Sequence, residues 1–222
     1  MLYSLEDFNG ASVIAKDGEM GKVRNVLFDD QSWRIRYLIV DVGSWLSRKE
    51  VLISVSAVDQ PDWARNTVHV HLTKEQVRHS PDVDSSKPVS RQQEIAMKEY
   101  FGWPAYWTAT GYAEMAPISI PTGRKFPGQA EDDPHLRSAA AVTGYRVWAE
   151  DGEVGRLENF LANTPTWHIG YLEVKGGKWI LDRTVLVPTL WIESVSWDNC
   201  RVNLHHSRSG LKAESQTGVG TR

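Results

Sequence analysis

His69 and His71 are two residues apart, which is the spacing in this sequence most like that of metal ligands on a strand. On a β-strand, side chains two residues apart point to the same face, so both imidazoles could begin a ligand set. A metal site needs at least a third ligand, and the sequence places no histidine or carboxylate cluster in register with this pair. The adjacent pair His205-His206 points to both faces and is a poorer ligand set. We therefore expect surface or structural histidines and no metal site.

The other chemically capable side chains have structural explanations. Asp17 and Asp151 each precede a glycine, and Asp-Gly favours a tight β-hairpin turn. Cys200 is the single cysteine, which excludes an intrachain disulfide and a cysteine-based zinc site. The sequence contains no phosphate-binding glycine loop and no G-x-S-x-G nucleophile motif. We expect no catalytic residue and no cofactor, and hence no enzyme.

The composition narrows the class of protein. Nucleic-acid binders normally carry a strongly basic surface, whereas this chain of 222 residues has a net charge of −3. We therefore expect no nucleic-acid partner. No stretch approaches the roughly 18 apolar residues that span a bilayer. The first eight residues lack the layout of a signal peptide. These features predict a cytoplasmic protein without a transmembrane segment, although it could associate peripherally with a membrane complex.

An internal repeat is the strongest signal in the sequence. Shifting the chain by 134 residues aligns Asp17 with Asp151 without a gap, and the similarity extends from Gly10 to Leu72. Six of the ten tryptophans form three matched pairs, which indicates that they fill equivalent cores. Other matched positions are Asn25 with Asn159, Leu27 with Leu161, Tyr37 with Tyr171, Leu52 with Leu186 and His71 with His205.

Each copy has the pattern of five or six short strands with tight turns, which favours a small barrel over a sandwich. We predict a mainly β fold of two tandem small β-barrels with a partly helical, partly irregular linker. The predicted boundaries are 1–80 for the first barrel, 81–134 for the linker, 135–210 for the second barrel and 211–222 for a disordered tail. Within the linker, Ser90 and Gln93 fit a capping box, which predicts a helix at about 91–101.

The run around Asp17-Gly18-Glu19 and the W-x-I-x-Y-L-x-V run from Trp33 to Val40 resemble the PRC-barrel family. The resemblance covers about residues 3–80 and again about 137–208, and it implies PRC-type barrels. The family includes the cytoplasmic domain of the photosynthetic reaction centre H subunit and the C-terminal domain of a ribosome maturation factor. The resemblance therefore implies protein contact and assembly, and no chemistry.

Five aromatic residues fall within eight positions of the linker, and the repeat gives them no mates. Because monomers usually avoid such an exposed apolar patch, we expect these side chains to be covered. The seam between the barrels is the favoured location, followed by a homodimer contact and a site for a foreign partner. The residues are Tyr100, Phe101, Trp103, Tyr106 and Trp107.

The sequence leaves three functions open. The leading hypothesis is a non-catalytic protein-binding or assembly module whose partner the sequence does not name. The alternative is a small-molecule or metal-binding module that uses the cleft between the barrels. An electron-transfer or photosynthetic assembly role ranks third and depends on the family resemblance.

Overall fold

The structure is a computed structural model that describes residues 2–43, 49–81, 89, 91–103, 136–177 and 183–215. The described residues form a mainly β protein, as predicted from the short alternating runs. The strands are β1 Leu2–Ser4, β2 Ser12–Ala15, β3 Gly18–Asp29, β4 Arg34–Asp41, β5 Glu50–Ser54, β6 Thr67–His69, β7 Leu136–Ser138, β8 Arg146–Ala149, β9 Gly152–Asn163, β10 His168–Gly176, β11 Thr184–Pro188, β12 Ile192–Ser196 and β13 Arg201–Leu204. The helices are α1 Lys74–Arg78, α2 Arg91–Phe101, α3 Ala139–Val142 and α4 Arg208–Ser215. Short 3-10 helices span Leu5–Phe8, Val55–Ala57 and Thr189–Trp191.

The two sequence copies have the same strand order. In the first half, each strand from β2 to β4 pairs antiparallel with the strand that follows it along the chain. β6 pairs parallel with β2. In the second half, β8, β9, β10 and β11 pair in the same way, and β13 lies parallel to β8. The bulge in the first hairpin also recurs, after Val13 opposite Gly21 and after Val147 opposite Gly155. The strand pairing therefore recurs at the same 134-residue offset as the sequence similarity.

Unusual backbone angles recur at matched positions. Trp33 and Trp167 have φ of 54° and 52°, and Asn66 and Cys200 have φ of 51° and 46°. Few residues other than glycine adopt this left-handed region. Their recurrence at both copies of a site indicates that the fold requires these turns, whichever residue occupies them.

The two halves exchange strands reciprocally. β1, at the start of the first half, pairs with β9 of the second half, and β7, at the start of the second half, pairs with β3 of the first. The registers match under the 134-residue offset, since Ser4 pairs with Leu161 and Ser138 pairs with Leu27. The halves are therefore related by an approximate two-fold symmetry and do not simply follow one another along the chain.

Main-chain hydrogen bonds join the halves at β4 and β10. The Ile35 N–H donates to the Trp167 carbonyl oxygen, and the Ile169 N–H donates to the Trp33 carbonyl oxygen, both at 2.8 Å. One continuous apolar cluster contains core residues of both halves, and the Phe28 and Phe160 rings are 5.2 Å apart within it. Such a shared core makes the two halves one packing unit.

The predicted disordered tail is wrong at its start. Residues 211–215 belong to α4, whereas the sequence analysis assigned 211–222 to a tail. The helix forms because Leu211 is buried in the shared core and the Arg208 N–H donates to the Asp151 side chain at 2.7 Å. Residues 216–222 lie outside the described part of the chain.

Candidate functional site

The two histidines with metal-like spacing lie on the surface. His71 Nε2 is 2.9 Å from Asp59 Oδ1, and both side chains are more than half exposed. His69 is also exposed. Within the described residues, no group of three or more His, Cys, Asp or Glu side chains is arranged to hold a metal ion.

The second histidine pair packs against an aromatic ring. The His206 ring stacks on Trp191 with a centroid distance of 4.6 Å, and His205 meets His206 edge-on at 4.7 Å. The His205 N–H also donates to the Trp191 carbonyl oxygen at 3.0 Å. These contacts fix the position of the segment after β13.

The paired aspartates hold helix starts. Asp17 Oδ1 accepts the Lys74 N–H at 2.9 Å, and Asp151 Oδ1 accepts the Arg208 N–H at 2.7 Å. The first N–H groups of a helix have no partner within the helix, so each carboxylate stabilises the start of α1 or α4. The sequence analysis explained these residues by their turns alone and missed this second role.

Cys200 lies on an exposed turn of the second half. Its thiol is near the half-exposed Trp197, whose carbonyl oxygen accepts from Sγ at 3.6 Å. Burial raises the pKa of Tyr145, and the neighbouring Cys200 raises it further. The matched residue of the first half is Asn66, so the thiol is not a shared feature of the repeat.

The linker aromatics lie on the outside of the first half. Phe101 and Trp103 stack at 4.4 Å, and Tyr100 meets Phe101 edge-on at 4.8 Å. Tyr100 is 43% exposed and donates its hydroxyl to the Gln76 carbonyl oxygen at 2.9 Å. Tyr106 and Trp107, the other members predicted for this cluster, lie outside the described residues.

The surface beneath these aromatics is the outward side of β3, β4 and β5, joined by β7. Met97 of α2 is fully buried against it, and Phe101 and Trp103 pack at its edge together with Val89. We call this surface the first outer face. Its members are Leu27, Tyr37, Ile39, Leu52 and Leu136.

A cleft of about 260 Å³ lies where the two halves meet. Its walls are residues of both halves at matched positions, including Asn25 with Asn159, so it lies on the approximate two-fold axis. The other lining residues are Leu5, Glu6, Asn9, Val23, Arg24, Val26, Ala139, Ala140, Thr143 and Phe160.

The two asparagines of the cleft tie the halves together. Asn25 Nδ2 donates to Ser138 Oγ at 2.7 Å, and Asn159 Nδ2 donates to Ser4 Oγ at 2.5 Å. Their side-chain oxygens accept the N–H groups of the residues that follow them. The side-chain amide of Asn25 thus holds β7 in place, and that of Asn159 holds β1. The sequence comparison missed Ser4 and Ser138, although they lie 134 residues apart and an extension of the repeat upstream would have matched them.

These strands and turns define a mainly β domain with a short-strand, hairpin-rich architecture. Residues 1–77 match the family model of the PRC-barrel domain. The chain thus contains a PRC-barrel domain at its N-terminal end, as the resemblance of the Asp-Gly turn and the strand after it predicted.

One relative is an uncharacterized protein of Deinococcus radiodurans, which is 33% identical over 96 residues. The match covers 40% of this chain and 34% of the relative, so this chain spans about a third of that protein's length. Among the described residues, no helix is long and apolar enough to cross a membrane.

Proposed function

We propose that the protein is a non-catalytic protein-binding or assembly module. Exposed large apolar side chains on the second half, and on β1 paired with it, carry this proposal. Leu190 is 85% exposed, Leu2 40% and Trp197 37%. Contact with another protein would remove this apolar area from water, which is the main favourable term in most protein association.

The proposal includes two PRC-type barrels held as one rigid unit. In the first half, a bridge between Val58 and Val70 links the segment after β5 to the segment after β6. In the second half, β12 pairs with β13 from Ile192 opposite Leu204. These pairings support closure of each strand set on itself, and they support the second half as a diverged copy of the matched domain. A rigid double barrel would present its surfaces to a partner without an ordering cost.

Affinity purification of the tagged full-length chain from its native host tests the binding function. The matched control is Leu190→Asp, which removes the most exposed apolar side chain without touching the core. We expect at least one protein to be recovered in stoichiometric amount with the wild-type chain and to be lost with the variant. Equal recovery with both chains, or no recovery with either, would contradict the proposal.

The cleft between the halves supports a second candidate, a small-molecule binding site. Its volume of about 260 Å³ and its mixed lining suit a small polar ligand. Ala140→Trp would fill the cleft from α3, where Ala140 is exposed. If the cleft binds a metabolite, a mixture of host metabolites raises the melting temperature of the wild-type chain and not that of the variant. No shift for the wild-type chain would contradict this candidate.

A further inference from the structure

The repeat identifies a second surface equivalent to the one that α2 covers. In β10, Tyr171 pairs with Leu161 of β9, and Glu173 pairs with Leu186 of β11, in the same register as their mates in the first half. We call this surface the second outer face. Under the 134-residue offset, its members are Leu2, Leu161, Tyr171, Glu173 and Leu186.

The two outer faces differ in exposure at every matched position. In the first outer face, no member is more than 6% exposed, because α2 and its flanking aromatics lie over it. In the second outer face, Leu2 is 40% exposed and the other four members are half-buried. The same strand register has therefore produced one covered face and one exposed face.

The first outer face shows what this backbone surface binds. Its cover is a helix of eleven residues whose apolar side chains include Met97 and Phe101, four positions apart. Residues at this spacing lie on one side of a helix, and Glu94 and Lys98 on the same side are also buried. The helix therefore contacts the sheet through large apolar side chains with charged side chains beside them. Because the second outer face has the same strand pairing, it offers the same kind of groove to a helix.

One substitution changes the charge of the second outer face. Glu173 replaces Ile39, and its carboxylate accepts the Asn159 side-chain N–H at 3.0 Å. The nearby Lys175 is 3.6 Å from Glu158 and is thus already paired. A helix that covers Glu173 needs a basic side chain at this point, since burying an unpaired carboxylate is costly.

We propose that the second outer face binds an amphipathic helix of a partner protein. The helix carries large apolar side chains four positions apart and a lysine or arginine that meets Glu173. A second copy of this chain fits less well, because two such faces related by a two-fold axis would bring two Glu173 carboxylates towards each other. This inference rests on the proposed protein-binding function and specifies its site and the kind of partner.

Two synthetic peptides are suitable probes. One has the sequence of residues 89–103, and the other has the same sequence with Lys98→Gln, which removes the basic group next to Met97 on the buried side of α2. Fluorescence anisotropy with the full-length chain measures their affinities. We expect the unmodified peptide to bind roughly fivefold more tightly than the Lys98→Gln peptide, the effect of a partly buried ion pair with Glu173.

Variants of the chain locate the binding site. Glu173→Ile recreates the residue of the first half, so it should remove the preference between the two peptides. Leu186→Ser should weaken both peptides roughly tenfold through lost apolar contact. Asn199→Ala, outside the second outer face and exposed, is the control and should leave both affinities unchanged. Circular dichroism of each variant verifies that it folds.

Three results would overturn the inference. The first is that neither peptide binds saturably, or that Glu173→Ile leaves their preference unchanged. The second is a dimer in sedimentation that Leu186→Ser dissociates, because the occupant would then be a second copy. The third is photo-crosslinking from position 186 to residues 104–135 of the same chain. If any of these occurs while purification from the host still depends on Leu190, the binding function stands and only this site fails.

Discussion

At the residue scale, the matched pair Trp33 and Trp167 packs at the junction of the halves. Trp33 is 7% exposed and stacks on Phe28 with a centroid distance of 5.5 Å. Trp167 is half-buried and lies 5.8 Å from Phe8. Both carbonyl oxygens accept hydrogen bonds from the opposite half, so each residue acts through its ring and its backbone.

Replacing Trp33 with alanine tests the packing role. Trp33→Ala should lower the free energy of unfolding by about 3–5 kcal/mol, because a large buried ring leaves a cavity. Trp167→Ala should cost less, since part of that ring is already in water. Urea titration followed by circular dichroism measures both changes. An unchanged midpoint for Trp33→Ala would indicate an exposed stacking role instead.

His168 makes stability depend on pH. Burial lowers its pKa, and Arg34, opposite it across the β4–β10 contact, lowers it further. The unfolded state therefore binds a proton first as the pH falls below about 6.5. The stabilising contribution of the neutral imidazole is fully present above that pH, and it is lost as the pH falls towards the folded pKa.

Urea unfolding between pH 7.5 and pH 5 should show this loss in the wild-type chain and a smaller loss in His168→Asn. Arg34→Gln should raise the pKa of His168 in an NMR titration, because the nearby positive charge is removed. An identical pH dependence for wild type and His168→Asn would contradict the assignment.

At the element scale, the β2–β3 and β8–β9 turns are each tied to a helix that follows the strands of the same half. Asp151 links the β8–β9 turn to α4, as Asp17 links the β2–β3 turn to α1. These contacts extend the repeat beyond Leu72, where the sequence similarity becomes weak.

Loss of the Asp151 carboxylate should loosen α4. Asp151→Ala should cost about 0.5–2 kcal/mol, as for other residues that cap a helix start. Asp151→Asn keeps an acceptor oxygen and should cost less. Hydrogen exchange of the amides in α4 measures the effect, and equal exchange in the wild-type chain and in Asp151→Ala would show that the carboxylate does not hold the helix.

Gly21 allows β3 to approach β4 closely. A Cβ atom there would collide with the Asp41 carbonyl oxygen, a backbone atom that cannot move aside easily. Gly21→Ala should therefore lower stability by about 1–3 kcal/mol or more. Gly170→Ala is the control, because the nearest atom to its added methyl is Leu2 Cδ2 at 3.9 Å. Thermal denaturation distinguishes the two, and equal stability would contradict the close approach.

At the scale of the whole molecule, the exchange of β1 and β7 makes the halves interdependent. Asn159 illustrates this, since it is 7% exposed and bonds to Ser4 of the other half at 2.5 Å and to Glu173 at 3.0 Å. Each half therefore contains a strand that completes its neighbour, and the shared core is continuous across the junction.

Asn159→Ala should weaken both halves together. It leaves the Phe160 N–H and the Ser4 hydroxyl without this partner, and we expect a cost of about 1–3 kcal/mol. The exposed Asn199, which bonds only to Ser196 Oγ at 2.9 Å among the described contacts, provides the control Asn199→Ala. Tryptophan fluorescence and far-ultraviolet circular dichroism should report one coincident transition. Two separate transitions would show that the halves unfold independently.

The sequence by itself determined the local architecture. Alternating apolar residues gave the strands, the Asp-Gly turns placed the hairpins, and the helix predicted at about 91–101 is α2, Arg91–Phe101. The 134-residue repeat also matched Trp33 with Trp167, and the structure gives both the same left-handed backbone angle. These features depend on residues near one another along the chain or on repeated patterns, which a sequence displays directly.

Only the tertiary structure decided how the halves combine. β1 and β7 are three-residue strands, too short for a periodic pattern, and their partners lie more than 100 residues away. The difference between the outer faces was largely hidden, because Leu52 and Leu186 are the same residue type at matched positions and, of the five members, only Ile39 is replaced, by Glu173. Their exposure depends on where α2 lies, and long-range packing determines that position.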